Sequence, residues 1–202
     1  MWLSGCICVI DKLLSFVSVV LRDIPTSFLV GFLVLFCIGT ILFLAFLGCK
    51  RGARWSAGLL LLEYMFLLLL LAVLTRKVQA NRAFEFTPFW SYRAYKEGVK
   101  FLLTQNIANV VVFVPIGLLL GCAFGRMKWW KVLLIGGGFS ILIEAMQFFL
   151  KRGFAEFDDV FHNVLGCVIG FGVSLGVKWL WADLRQAQEQ RVISKHTFDI
   201  FS

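Results

Sequence analysis

The sequence predicts an all-α polytopic membrane helix bundle, with about five transmembrane helices and an N-terminal amphipathic helix lying in the membrane interface. Three observations carry this reading. Of the 202 residues, 60% are apolar and 16% charged. Apolar runs of about 20 residues recur along the whole length, each long enough for a hydrocarbon core of roughly 30 Å. The charged residues gather between those runs. One membrane domain over 1–202 follows, with no separate soluble domain.

Residues 1–22 are apolar, but Ser4, Asp11, Ser15, Ser18 and Arg22 recur at helical spacing as one narrow polar stripe. A stripe on an apolar helix suits a helix lying in the membrane plane; a further span is the alternative. The first span is expected from Thr26 to Leu47, after Pro25, a residue suited to a helix start. The second is expected over 56–74. A polar stretch, 75–105, follows. Its aromatics, among them Phe84, Phe86, Phe89, Trp90 and Tyr92, favour the headgroup level, so it should hug the surface. The third span, 106–124, contains Pro115, which removes a backbone donor and predicts a kink or break. The fourth is expected over 131–150 and the fifth over 160–181. The polar tail, 183–202, should lie in the cytoplasm.

The formal net charge is +8. The basic residues cluster between apolar runs, as in Lys50-Arg51-Arg54 and Arg126-Lys128-Lys131. That pattern points to anionic lipid headgroups, at about 1 kcal/mol for each residue near the surface, and away from nucleic acid. By the positive-inside rule these short loops face the cytoplasm, which puts the N-terminus outside and the C-terminus inside. The six basic residues of 75–105 oppose this assignment. The six cysteines show no metal spacing and read as small apolar fillers.

Two spans separate segment 75–105 from loop 151–159, so both emerge on one membrane face. Polar residues inside the spans converge there. Gly137, Ser140, Glu144, Gln147 and Lys151 form one stripe on the fourth span. At the helical rise Glu144 lies roughly 10 Å below Lys151. Asp159, Asn163, Gly166, Gly170 and Ser174 form a matching stripe on the fifth. Its GxxxG spacing lets a neighbouring backbone approach closely. Asn106, Asn109, Phe113 and Gly117 share a face of the third. An ionised carboxylate in hydrocarbon costs on the order of 3 kcal/mol or more, so Glu144 must face protein or water, be paired, or be neutral. Arg152, two turns further on, is a candidate partner. The ligand-binding candidates are Asn109, Glu144, Gln147, Arg152, Asp158, Asp159 and Asn163. Glu144, Asp158 and Asp159 are also the catalytic candidates. Each has a plainer alternative. Glu144 and Gln147 could bond between helices, Asp158 or Asp159 could cap the fifth helix, and Arg152 could snorkel to the interface. His162 is expected to pack away from the stripe, and Glu63 has no evident partner. No metal site and no cofactor are expected.

These residues resemble the VanZ-like family, membrane proteins associated with resistance to glycopeptide antibiotics such as teicoplanin. The resemblance rests on "NVVVFVPIG" (Asn109 to Gly117), "IEAMQ" (Glu144 and Gln147) and "KRGFAEFDDVFHNVLG" (Arg152 to Gly166), with Pro88-Phe89 upstream. It covers a core of about 84–172. One departure is Glu156, where the family often has Asp. The resemblance implies a bacterial cell membrane and an outward-facing site.

Three functions are compatible with these features. The first is a cell-envelope protein that binds or shields a lipid-linked cell-wall precursor or a glycopeptide. The second is an intramembrane hydrolase or transferase acting on a lipid-linked substrate, with a divalent ion on Glu156, Asp158 and Asp159 as an option. The third is a small transporter. The sequence contains no nucleophile elbow, zinc motif or phosphate loop.

Overall fold

The computed structural model describes residues 26–45, 50–82, 84–125 and 127–201, with side chains described from 34 to 189 except 42, 44 and 50. The expected interfacial helix, 1–22, lies outside the described residues. The order of elements is α1 (Thr26–Ala45), α2 (Lys50–Leu74), β1 (Phe84–Glu85), α3 (Trp90–Lys96), α4 (Phe101–Ala123), α5 (Trp129–Phe149), β2 (Ala155–Glu156) and α6 (Phe157–Phe201). The chain is thus an all-α bundle with one minimal sheet. Among the described residues four stretches, Arg51–Leu74, Phe101–Ala123, Trp129–Phe149 and Phe157–Glu189, are long and apolar enough to cross a membrane. They correspond to the second to fifth expected spans. The first expected span falls on α1, a 20-residue helix without a charged side chain.

Burial follows the logic of a lipid solvent. Large apolar side chains point outward, including Leu62, Phe66, Ile107, Leu134, Val168 and Val177. Polar side chains such as Asn106, Ser140, Gln147, Asp159 and Asn163 are buried between helices, where each unpaired group would otherwise cost several kcal/mol. The apolar core gathers Phe113, Ile116 and Leu120 of α4, Val132 and Phe139 of α5, and Cys167 and Phe171 of α6.

Helices α4 and α6 run parallel in close contact. A Cβ on Gly166 would strike the Val110 carbonyl and one on Gly170 the Val114 carbonyl, while one on Gly117 would strike the Cys167 carbonyl. Small residues on both helices therefore set the approach, and the GxxxG expectation acquires its partner. Helix α5 runs back alongside this pair and packs chiefly on α6. Pro115 does not break α4, which is continuous from Phe101 to Ala123; the expected break is corrected. Val111 loses its usual donor there, and the preceding turn is held from outside by Tyr64, whose hydroxyl donates to the Val112 carbonyl at 2.8 Å. The expected tail is the continuation of α6 to Phe201.

Segment 75–105 folds over one end of the bundle. Phe84 and Glu85 pair in parallel with Ala155 and Glu156. Val78 bridges Arg152, and the Gln79 N–H donates to the Lys151 carbonyl at 2.7 Å. The two segments that topology alone sends to one face are hydrogen-bonded there.

Candidate functional site

The site is built by helix ends. The last turn of α2 leaves carbonyls without helical donors, and two of the candidate residues supply them. Gln147 Nε2 donates to the Ala72 carbonyl at 3.0 Å. Arg152 donates to the Leu74 carbonyl at 2.9 Å and to that of Arg76 at 3.5 Å. Helix α5 itself closes with two reverse bonds, Arg152 N–H to Gln147 and Lys151 N–H to Phe148. That closure sets Lys151 at a φ of +55°, a position usually given to glycine. Arg152 is thereby turned to the end of α2, and the cation beside the buried carboxylates is Arg76. The expected pairing of Arg152 over Glu144 is replaced by one the sequence did not indicate.

The carboxylates at the start of α6 have separate duties. Asp158 is fully buried. Its Oδ1 accepts the Phe89 N–H at 2.6 Å, and its Oδ2 accepts the Ser91 N–H at 3.0 Å and the Ser91 hydroxyl at 2.5 Å. It locks the left-handed turn at Phe89 (φ +58°) that starts α3, a conformation costing roughly 1–2 kcal/mol for a residue with a Cβ. Asp158 is therefore a clamp for the surface segment. Asn106 extends it by donating to Ser91 Oγ at 3.0 Å. His162 packs behind it, its Nδ1 against the Asp158 carbonyl at 2.5 Å and its Nε2 against the Tyr92 hydroxyl at 2.8 Å. The packed role expected of His162 is the one observed.

Asp159 points the other way. Its Oδ1 accepts from Asn109 Nδ2 at 2.7 Å, and its Oδ2 lies 3.7 Å from the Arg76 guanidinium. Glu144 receives the Glu156 N–H on Oε2 at 3.0 Å, so the deepest carboxylate of α5 holds the backbone entering α6. Asn163 donates to Ser140 Oγ at 2.8 Å. Glu156, on β2 outside the spans, accepts from Trp90 Nε1 at 3.1 Å. Burial, with the Asp159 charge adding to it, pushes the Glu156 carboxyl up to about 7, against the opposing pull of Arg76 and the bonds from Trp90 and Gln105.

Five of the seven candidates, Asn109, Glu144, Gln147, Asp159 and Asn163, line one cavity of about 460 Å³; Arg152 and Asp158 do not. Arg76 and Gln105 line it as well. Both were missed because they lie in a polar stretch where periodicity carries no information. The rest of the lining is largely apolar and includes Leu67, Leu68 and Leu71 of α2. A cavity of this size, apolar with a few convergent polar groups, is of the kind that takes small molecules. Among the described residues no three His, Cys, Asp or Glu side chains are grouped to hold a metal ion. The option of an ion shared by Glu156, Asp158 and Asp159 conflicts with Asp158, whose two oxygens are committed to Phe89 and Ser91. Glu63, on α2, lies against Gly39 of α1, away from this cavity.

Comparison with curated proteins and with solved structures returns no match to either. A family model, VanZ/LLP1, matches residues 55–179, more than half of the chain and a longer stretch than the sequence resemblance covered. That stretch contains α4, α5, α6 as far as Trp179 and every residue of the cavity. The protein belongs to the VanZ/LLP1 family of membrane proteins.

Proposed function

We propose that the protein acts in the bacterial cell envelope, lowering susceptibility to glycopeptide antibiotics of the teicoplanin type by binding a lipid-linked or glycopeptide ligand in the α2–α4–α5–α6 cavity. The cavity opens to the outside, with the N-terminus outside and the C-terminus in the cytoplasm. One observation carries the reading: the lining of a single cavity divides between the polar Arg76, Asp159 and Glu144 and the apolar Leu67, Leu68 and Leu71. Such a division matches an amphiphile, with its head on the polar wall and its chain along α2 toward the surrounding lipid. Family membership and the surface segment folded over the polar end support the same reading.

The test is antibiotic susceptibility in cells that express the chain, Glu144→Gln, Asp159→Asn or Ala108→Trp at matched membrane levels. Ala108 lines the cavity, and a tryptophan there fills it without changing a polar group. The native chain should raise the teicoplanin concentration needed to stop growth, and the three variants should not. Unchanged protection in all three would sink the proposal. A second reading, hydrolysis or transfer on a lipid-linked substrate, draws on Glu144 and Asp159 facing one cavity. It requires that lipid incubated with the purified protein be recovered chemically changed, with the change lost in Glu144→Gln.

A further inference from the structure

The hydrogen-bonding groups of the cavity are unevenly committed. Most of its amide and hydroxyl side chains donate within the protein. Asn109 Nδ2 goes to Asp159, Asn163 Nδ2 to Ser140, and Gln147 Nε2 to the Ala72 carbonyl. The Tyr64 hydroxyl goes to Val112 and that of Thr75 to Leu71. Gln105 lies beside the carboxylates of Glu156 and Asp159. Two acceptors are left over. Gln147 Oε1 and Asn163 Oδ1 are buried without a hydrogen-bond partner, on residues only 1% and 4% exposed. The Gln147 amide cannot be turned round, because the carbonyl it meets can only accept. A buried acceptor without a donor costs about as much as a lost hydrogen bond. The charges lean the same way. Glu144 and Asp159 line the cavity, and Arg76, paired with Asp159 at the mouth, is its one lysine or arginine among the described residues.

We infer that the cavity selects an amphiphile whose head carries a hydrogen-bond-donating ammonium, seated on Gln147 Oε1, Asn163 Oδ1 and Glu144. This rests on the cavity being a binding site, and it names the class of head group that site prefers. Three acceptor-bearing side chains on the lining of one cavity suit the three donors of a primary ammonium. A carboxylate among them makes the bond charge-assisted and roughly twice as strong as a neutral one. A phosphate or carboxylate head placed there would meet acceptors and like charge; Arg76, at the mouth, remains for an anion further out along the head. The apolar wall of α2 takes the chain.

The test uses the purified full-length protein in detergent micelles, with lipid retention read by native mass spectrometry. Three probes share the same dioleoyl chains: phosphatidylethanolamine, with a donating ammonium; phosphatidylcholine, with a cation but no N–H; and phosphatidylglycerol, with hydroxyl donors and no cation. The expected result is retention of phosphatidylethanolamine over phosphatidylcholine by about tenfold or more, the effect of one charge-assisted bond. Phosphatidylglycerol should be no better than phosphatidylcholine. The preference should fall below about threefold in Glu144→Gln and in Gln147→Met, each shown to be folded by its melting curve, which is the loss of that same bond. Equal retention of the first two lipids, or preference for phosphatidylglycerol, overturns the inference while leaving a lipid site standing, provided Ala108→Trp abolishes retention. Retention indifferent to Ala108→Trp overturns the binding site itself. Displacement of bound lipid by free ethanolamine at equal concentration would show a soluble amine to be the ligand, against the amphiphile inferred.

Discussion

Asp158 and Asp159 are neighbours in sequence and divide scaffold from site. Asp158, with three donors on its carboxylate, should matter for stability. Asp158→Asn is expected to cost about 2–4 kcal/mol, since bonds to a charged group are lost in a buried place, and thermal unfolding in detergent reads it. Asp159→Asn keeps a partner for Asn109 and faces a half-exposed arginine, so its melting temperature should stay close to the native one. Equal melting for the two variants would show that Asp158 is no clamp. Glu156 supplies a pH effect. Its carboxyl is raised from 4.5 to about 7 in the folded protein, so the folded state holds a proton that the unfolded chain releases. The stability this gives is fully present below pH 4.5 and is lost as pH rises through about 7. Melting temperature should decline across that window, and Glu156→Gln should flatten the decline; an unchanged slope in the variant would assign it to another group. Sequence periodicity put Asn109, Glu144, Gln147, Asp159 and Asn163 on converging stripes, and the five line one cavity, because a polar residue inside an apolar helix has few places to go. It could not find Arg76 or Ser91, whose positions depend on how a polar segment folds back over the bundle.

Helix packing depends on small residues, and here a stripe visible in the sequence has a measurable consequence. Gly166 and Gly170 of α6 lie against the backbone of α4 at Val110 and Val114, so a side chain there must push two helices apart. Gly166→Leu should cost at least ~1–3 kcal/mol, the usual range for overpacking, and lower the yield of folded protein. Gly172, whose Cβ would meet nothing within 4 Å, is the control, and Gly172→Leu should melt with the native protein. Equal behaviour of the two variants would remove the close α4–α6 contact from the description. The glycine spacing was legible, but the partner helix was not, since one stripe is compatible with either neighbour. Helix ends were the least legible elements. Arg152 and Gln147 read as site residues because both are polar near a membrane face, yet both close the last turn of α2. A long-range cap of this kind leaves no local signature. The C-terminal end of α4 has the same device, with Lys178 of α6 donating to the Gly121 carbonyl.

At the scale of the whole molecule the bundle has two faces. One carries segment 75–105 on loop 151–159, above the polar cavity. The other carries the basic ends of α2 and α5, including Arg51, Arg54 and Lys128. If the first face is outside, single cysteines at Ala80 or Lys151, both exposed, should react with an impermeant maleimide in intact cells lacking the native cysteines. A cysteine at Lys128 should react only after lysis, and the reverse pattern would invert the protein. Ala155, in the same loop as Lys151, is 8% exposed and would label poorly whichever way the chain faces. The central claim, that the cavity holds a chosen amphiphile rather than bulk lipid, is tested most directly by a photoreactive benzoylphenylalanine at Leu71 on the cavity wall. The comparison is the same group at Val168, which points outward from α6. After irradiation in membranes, the lipids captured at each position are identified by mass spectrometry. The expected result is one dominant head-group class at Leu71 and a mixture following bulk abundance at Val168; the same bulk mixture at both positions would contradict the claim.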